Sequence, residues 1–168
     1  MGDGPLRSPL QALIQELHLE AIVQLTGWQN EQELIDHLDQ AHIFIAPSVT
    51  ASDGNQDAPI NVLKEAMAMG LPVISTVHGG IPELVQDGIS GYLVPEREVQ
   101  ALSDRLAQLL SEPERWPEMG RAGRAYVEQH FNLQQLNDRL VSRYQELLHP
   151  KVTPSSPLPL ADSWVSQA

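Results

Sequence analysis

With 168 residues and a hydrophobic fraction of 42%, the chain has room for a real core. Its 22 acidic and 10 basic side chains leave a net charge of −12, which disfavours nucleic-acid phosphates and anionic membrane surfaces, since no local basic patch is visible. The absence of cysteine excludes a disulfide framework or a thiolate metal site and fits a reducing compartment. No apolar run approaches the roughly 20 residues of a membrane span, and "MGDGPLRSPLQAL" lacks the basic-then-apolar order of a signal peptide. The expected location is the cytoplasm, without a transmembrane segment.

Taken in chain order, "SPLQALIQELHL" predicts a helix from about Pro9 to Leu17 capped by Ser8, then a short strand at Ala21 to Leu25. "NEQELIDHLDQA" reads as a second helix capped by Asn30, and "HIFIAPS" as a buried strand, Ile43 to Ala46, ended by Pro47. Ser52, Asp53, Gly54, Asn55 and Gln56 favour turns, because short polar side chains bond their own backbone and glycine tolerates positive φ. Pro59 suits a first helical turn. From Asn61 to Met69, strong helix formers carry an apolar stripe of Val62, Leu63, Ala66, Met67 and Met69. Gly70 stops that helix, and Pro72 to Ile74 opens a strand. "GGIPELVQD" predicts a short helix, "GYLVP" a strand, and "EVQALSDRLAQLLSEP" a long amphipathic helix, followed by helices around Arg115 to Gln129 and Leu133 to Leu148.

Four strands separated by helices predict a parallel α/β sheet with helices on both faces, since parallel pairing needs crossover connections. Residues 1–148 are expected to form one domain, and the Pro/Ser-rich segment 149–168 a disordered tail.

Ligands in an open parallel sheet collect at the carboxyl ends of the strands, where loops enter helix N-termini. The loop from Pro47 to Ala58 is the longest connection in the chain. Free N–H groups at the start of the following helix favour an anion, most simply a phosphate. Asp57 stands just before that helix and Glu65 eight residues later, a separation of roughly 12 Å if fully helical, comparable with a nucleotide diphosphate and its sugar. A helix cap at Asp57 and a solvated Glu65 explain the same spacing, and spacing alone favours that plainer reading.

"DAPINVLKEAMAMGLPVISTVHGGIPELVQDGISGYLVP" resembles the donor-binding region of the retaining glycosyltransferases of family 4, which have the two-domain GT-B fold. "GDGPLR", "VQLTGW", "LDQAHIFIAPS" and the "SVTASDGNQD" loop continue the resemblance from about Gly2 to Leu148. The loop with "DG" before the acidic residue looks like the branch that builds bacterial exopolysaccharide and related surface glycans. The resemblance implies a Rossmann-like parallel sheet, the C-terminal domain of a GT-B enzyme. It also implies that the first strand of that domain and the acceptor-binding N-terminal domain lie outside this chain. It further implies retaining transfer of a sugar from a nucleotide donor with no cofactor and no metal.

By the same resemblance, Asp57 contacts the sugar and Glu65 the ribose. The segment of Ala58 and the amides of Asn61, Val62 and Leu63 approach the diphosphate, and Gly79 and Gly80 of "HGGIPE", with Glu83, line the cleft. The chain departs from the family pattern in three places: Asp57 replaces a glutamate, Ala58 a glycine, and Pro59 comes one position early. Implied partners are a nucleotide sugar and a separate polypeptide supplying the acceptor domain. That half would also carry any peripheral attachment to the inner membrane face. Little or no transfer is expected from this polypeptide alone, because the groups that neutralise the leaving diphosphate are absent from it. A non-catalytic nucleotide-sugar-binding or partner-binding module, and a truncated product without a stable fold, stay open beside the split enzyme.

The six histidines show no metal-ligand spacing. His78, before Gly79, is as well explained by a surface loop as by ligand contact. Trp28 is expected to pack on the next helix, and Trp116 to anchor one helix on another.

Overall fold

The computed structural model describes residues 2–56 and 60–149. The chain divides into two compact units, residues 1–130 and 131–168. In the first, helices α1 (Arg7–Glu16) and α2 (Glu31–Gln40) precede strand β1 (Phe44–Ala46). Helix α3 (Asn61–Ala68), strand β2 (Val73–Thr76), helix α4 (Ile81–Leu84) and strand β3 (Gly91–Val94) follow. Helix α5 (Val99–Ser111), a 3-10 turn at Pro113–Arg115 and helix α6 (Trp116–His130) complete it. The second unit contains helix α7 (Leu133–Leu148), whose cap Asn132 accepts a hydrogen bond from the Gln135 amide. The tail expected from His149 falls, apart from His149 itself, outside the described residues.

The strands form one parallel sheet in the order β1-β2-β3, with Phe44 opposite Val73 and Val73 opposite Gly91. Every residue of β2 is buried, so both faces of the sheet are covered at its centre, as the alternation of strands and helices predicts. Ile74 packs with Tyr92, Leu109 and Met119, and Ile43, Leu102, Leu106 and Trp116 extend that cluster. The indole N–H of Trp116 donates to the Leu109 carbonyl at 2.7 Å, which ties the start of α6 to α5. Arg105 lies over the Tyr92 ring at 4.7 Å, and Arg115 donates to the Tyr92 hydroxyl at 3.0 Å.

Two glycines allow backbones to approach side by side. A Cβ at Gly91 would overlap the Val73 carbonyl, and one at Gly120 would overlap the Gly70 carbonyl, so α6 lies directly on the turn that ends α3. Gly70 itself has φ of 81°, the left-handed conformation expected of a helix stop.

Three sequence expectations fail. No strand forms at Ala21 to Leu25: the amides of Ile22 and Val23 both bond to the Leu19 carbonyl, and the described sheet has three strands rather than four. A β-branched run becomes a strand only beside a backbone that completes its ladder, and none lies beside this one among the described residues. Ser8 does not cap α1, because the helix begins at Arg7 with Leu6 in the cap position and no side-chain bond. Trp28 is 77% exposed and does not pack on α2. By contrast Asn30 caps α2 as predicted, and its capping box with Glu33 is complete.

Candidate functional site

The carboxyl ends of β1, β2 and β3 bring together three loops: residues 47–56, the turn at 77–80, and the segment from Pro95 into α5. Hydroxyl groups at the end of β2 fasten the end of β1 and the start of the first loop. Ser75 Oγ donates to the Ala46 carbonyl at 2.7 Å and Thr76 Oγ1 to the Ser48 carbonyl at 2.6 Å. Further out the loop closes on itself. The Ala51 amide donates to the Asn55 carbonyl, the Asn55 amide to Asp53 Oδ1 at 3.0 Å, and Gln56 Nε2 to Thr50 Oγ1 at 3.0 Å. The turn-forming residues of the sequence are thus used as turns.

Thr50 is gripped by all of its polar groups. Its amide donates to Glu96 Oε2 at 2.7 Å and its hydroxyl to Glu96 Oε1 at 2.9 Å. Its carbonyl accepts from the Arg97 guanidinium at 2.8 Å. Glu96 Oε1 also meets His78 Nδ1 at 2.7 Å. Arg97 holds φ of 66°, an uncommon conformation for a side chain of its size. The Thr50 amide first, then His78, lower the Glu96 carboxyl from its ordinary 4.5 to about 2, against an opposing contribution from burial. His78 is only 2% exposed, so the surface-loop reading of this histidine is corrected: its ring is enclosed beside a carboxylate.

Helix α3 begins after this loop with Ile60 as its cap, three residues after Asp57, and among the described residues no side chain closes its first turn. Among the described residues the amides of Asn61 and Val62 have no acceptor. The Leu63 amide, expected to serve a phosphate, instead donates to the Ile60 carbonyl at 3.1 Å, because the first turn closes with a tight three-residue bond. Leu63 belongs to the core, with its side chain fully buried. Asn61 and Glu65 are exposed on α3, and Val62 is half-buried. Gly79 has φ of 47° and Gly80 caps α4, which places both at the mouth of the turn after β2, and Glu83 is exposed on α4. Asp57, Ala58 and Pro59 lie outside the described residues.

The sequence reading missed Glu96, Thr50 and Arg97. Thr50 and Glu96 are 46 residues apart, too far for any local pattern. The available signal was positional: "VPERE" places charged side chains directly after a strand's carboxyl end. No group of three or more His, Cys, Asp or Glu residues suited to a metal occurs among the described residues.

A parallel sheet whose strand ends gather polar loops ahead of a helix N-terminus defines an open α/β domain, a class in which ligands collect at that edge of the sheet. Within that class, the model of the family Glycosyl transferases group 1 matches residues 1–126, and the chain belongs to that family. It is 44% identical over 149 residues to the putative colanic acid biosynthesis glycosyltransferase WcaL of Escherichia coli (strain K12), covering 88% of this chain and 36% of that protein. It is 42% identical over 132 residues to the amylovoran biosynthesis glycosyltransferase AmsK of Erwinia amylovora, covering 79% of this chain and 32% of the relative. The chain therefore spans about a third of the length of the curated relatives it matches.

Among solved structures it is similar to sucrose-phosphate synthase from Thermosynechococcus elongatus, with a TM-score of 0.75 and 27% identity over 88% of this chain and 37% of that one. The fold is also that of Anabaena Alr3699/HepE, solved in complex with UDP and glucose, with a TM-score of 0.76 over 86% of this chain and 39% of that one, at 23% identity. The domain has the parallel α/β fold of the GT-B glycosyltransferases.

Proposed function

We propose that this chain forms the nucleotide-sugar-binding part of a retaining glycosyltransferase that builds exopolysaccharide or another surface glycan. The observation that carries the reading is its 44% identity to a relative named for colanic acid biosynthesis, supported by the relative named for amylovoran biosynthesis. A bound UDP in the similar HepE structure supports a nucleoside diphosphate as the leaving group.

In this proposal the diphosphate lies at the N-terminus of α3. The Asn61 and Val62 amides receive it there, and the turn of exposed Gly79 and half-buried Gly80 approaches it from β2. Glu65 accepts hydrogen bonds from ribose hydroxyls, and Asp57 orients the sugar, with Ala58 beside it. Preorganised amide dipoles stabilise part of the charge that develops on the departing diphosphate, and no metal is included in the proposed site. Acceptor binding and any peripheral attachment to a membrane are assigned to a different polypeptide segment.

Isothermal calorimetry of the 168-residue chain against UDP, GDP and their hexose conjugates tests the reading. Saturable binding of one nucleotide series, with transfer to acceptor only in the presence of an acceptor domain, is the expected result. Binding of neither series removes the nucleotide assignment. Binding without transfer under any complementation makes the chain a non-catalytic nucleotide-sugar-binding module.

A further inference from the structure

Glu96 lies on none of the segments assigned to donor contact, yet its carboxylate joins two of the loops that frame the site. It accepts the amide and hydroxyl of Thr50 at 2.7 and 2.9 Å, and it meets His78 Nδ1 at 2.7 Å. Thr50 belongs to the loop that leads through Asp57 to α3, and His78 directly precedes the Gly79-Gly80 turn. Arg97, the neighbour of Glu96, holds the remaining polar group of Thr50, its carbonyl, at 2.8 Å. One short segment after β3 therefore fixes the position of loops from β1 and β2.

We propose that Glu96 is a positioning residue for the nucleotide-sugar site. It clamps the 50–56 loop to His78, so that this loop and the Gly79-Gly80 turn are presented in one arrangement before the donor arrives. The inference rests on the nucleotide-sugar reading of this site. Its physical basis is the cost of ordering. Residues 47–56 contain no helix or strand, and a loop left free in the unbound protein must be immobilised during binding, at the expense of affinity. Charge-assisted hydrogen bonds to a single carboxylate remove that cost in advance. The enclosed His78 ring gives the clamp a rigid wall, and its contact with Glu96 directs Nδ1 toward the carboxylate.

The test compares wild type, Glu96→Gln, Glu96→Ala, Thr50→Val and the core control Leu109→Ala, a buried member of the Ile74 cluster that makes none of these contacts. Two measurements are made on each chain: calorimetric affinity for UDP and GDP, and amide hydrogen exchange of residues 50–56 and 78–80 without ligand. The expected result is that Glu96→Ala and Thr50→Val weaken nucleotide affinity about tenfold and accelerate exchange in both loops. Glu96→Gln, which keeps the acceptor oxygen, recovers part of the affinity. Leu109→Ala lowers the unfolding midpoint while leaving affinity and loop exchange at wild-type values, as a merely structural contribution cannot do for Glu96.

Unchanged affinity in Glu96→Ala, with wild type still binding, overturns the positioning role alone. So does faster exchange without loss of affinity, which makes the clamp purely structural. Absence of nucleotide binding by folded wild type overturns the nucleotide-sugar reading itself and the positioning role that depends on it.

Discussion

Glu65 and Glu83 are both exposed glutamates on helices near the strand ends, so composition and exposure alone do not separate them. Their places do: Glu65 lies one turn along α3 from Asn61 and Val62, whose amides have no acceptor among the described residues, while Glu83 lies on α4 after the glycine turn. Glu65→Ala is expected to weaken nucleotide binding more than Glu83→Ala does, and equal affinities by calorimetry would remove the ribose assignment. Glu96 carries a separate, pH-dependent consequence. Its carboxyl titrates at about 2 in the folded chain instead of 4.5, so the folded state releases this proton more readily than the unfolded state. The resulting stabilisation is complete above about pH 4.5 and disappears as the pH falls from there toward 2. Thermal midpoints of wild type and Glu96→Gln should therefore differ at neutral pH and converge across that acidic range. A constant difference throughout would show that Glu96 does not carry the low pKa.

At the scale of elements, caps and close approaches decide the outcome. Asn30 and Glu33 exchange hydrogen bonds of 3.0 and 2.9 Å at the start of α2. Replacing Asn30 by alanine should cost about 1 kcal/mol in denaturant unfolding, and no loss would show that α2 is held by packing alone. The two glycines of α6 make opposite predictions. A Cβ at Gly120 meets the Gly70 backbone, which cannot rotate away as a side chain does, so Gly120→Ala should destabilise by ~1–3 kcal/mol. A Cβ at Gly123 would sit 3.5 Å from the Met67 side chain and 3.6 Å from Ser90, ordinary contact distances. Gly123→Ala should be neutral or raise stability by up to about 1 kcal/mol through helix propensity. Chemical denaturation of both variants checks the contrast, and a Gly120→Ala chain as stable as wild type would refute the close packing of α6 on the α3 turn.

For the whole molecule, a ligand that binds only the native state raises the unfolding midpoint by mass action. At a free concentration of one hundred times Kd the stabilisation is about 2.7 kcal/mol, large enough to read in a thermal scan. The proposed site therefore predicts a midpoint that rises with UDP or GDP and continues to rise with its logarithm. A cooperative but unresponsive transition would leave the fold intact without the assigned site. The net charge of −12 makes the response informative, because a chain this acidic has no general attraction for phosphate. Stabilisation by a nucleoside diphosphate but not by inorganic phosphate would thus point to a shaped site.

Much of this molecule was legible locally. The Asn30 to Glu33 spacing, the Gly70 stop, the Leu63, Ala66 and Met67 core of the α3 stripe, though not Met69, which ends the helix 40% exposed, and the alternation of strands with helices act over a few residues, where propensity and periodicity decide. An ordered series of motifs along the chain was enough to place it among the GT-B glycosyltransferases. Other features waited on the tertiary structure, because each depends on what the chain brings back to the same place. The Ala21 to Leu25 run has strand-forming residues but, among the described residues, no neighbouring backbone to complete a ladder, and the amides of Ile22 and Val23 turn back to Leu19 instead. Trp28 looks like a packing residue and stands in solvent, while His78 looks like a loop residue and is enclosed. Above all, the clamp formed by Glu96 joins side chains 18 and 46 residues distant, and only the parallel return of β1, β2 and β3 places their following loops within hydrogen-bond reach.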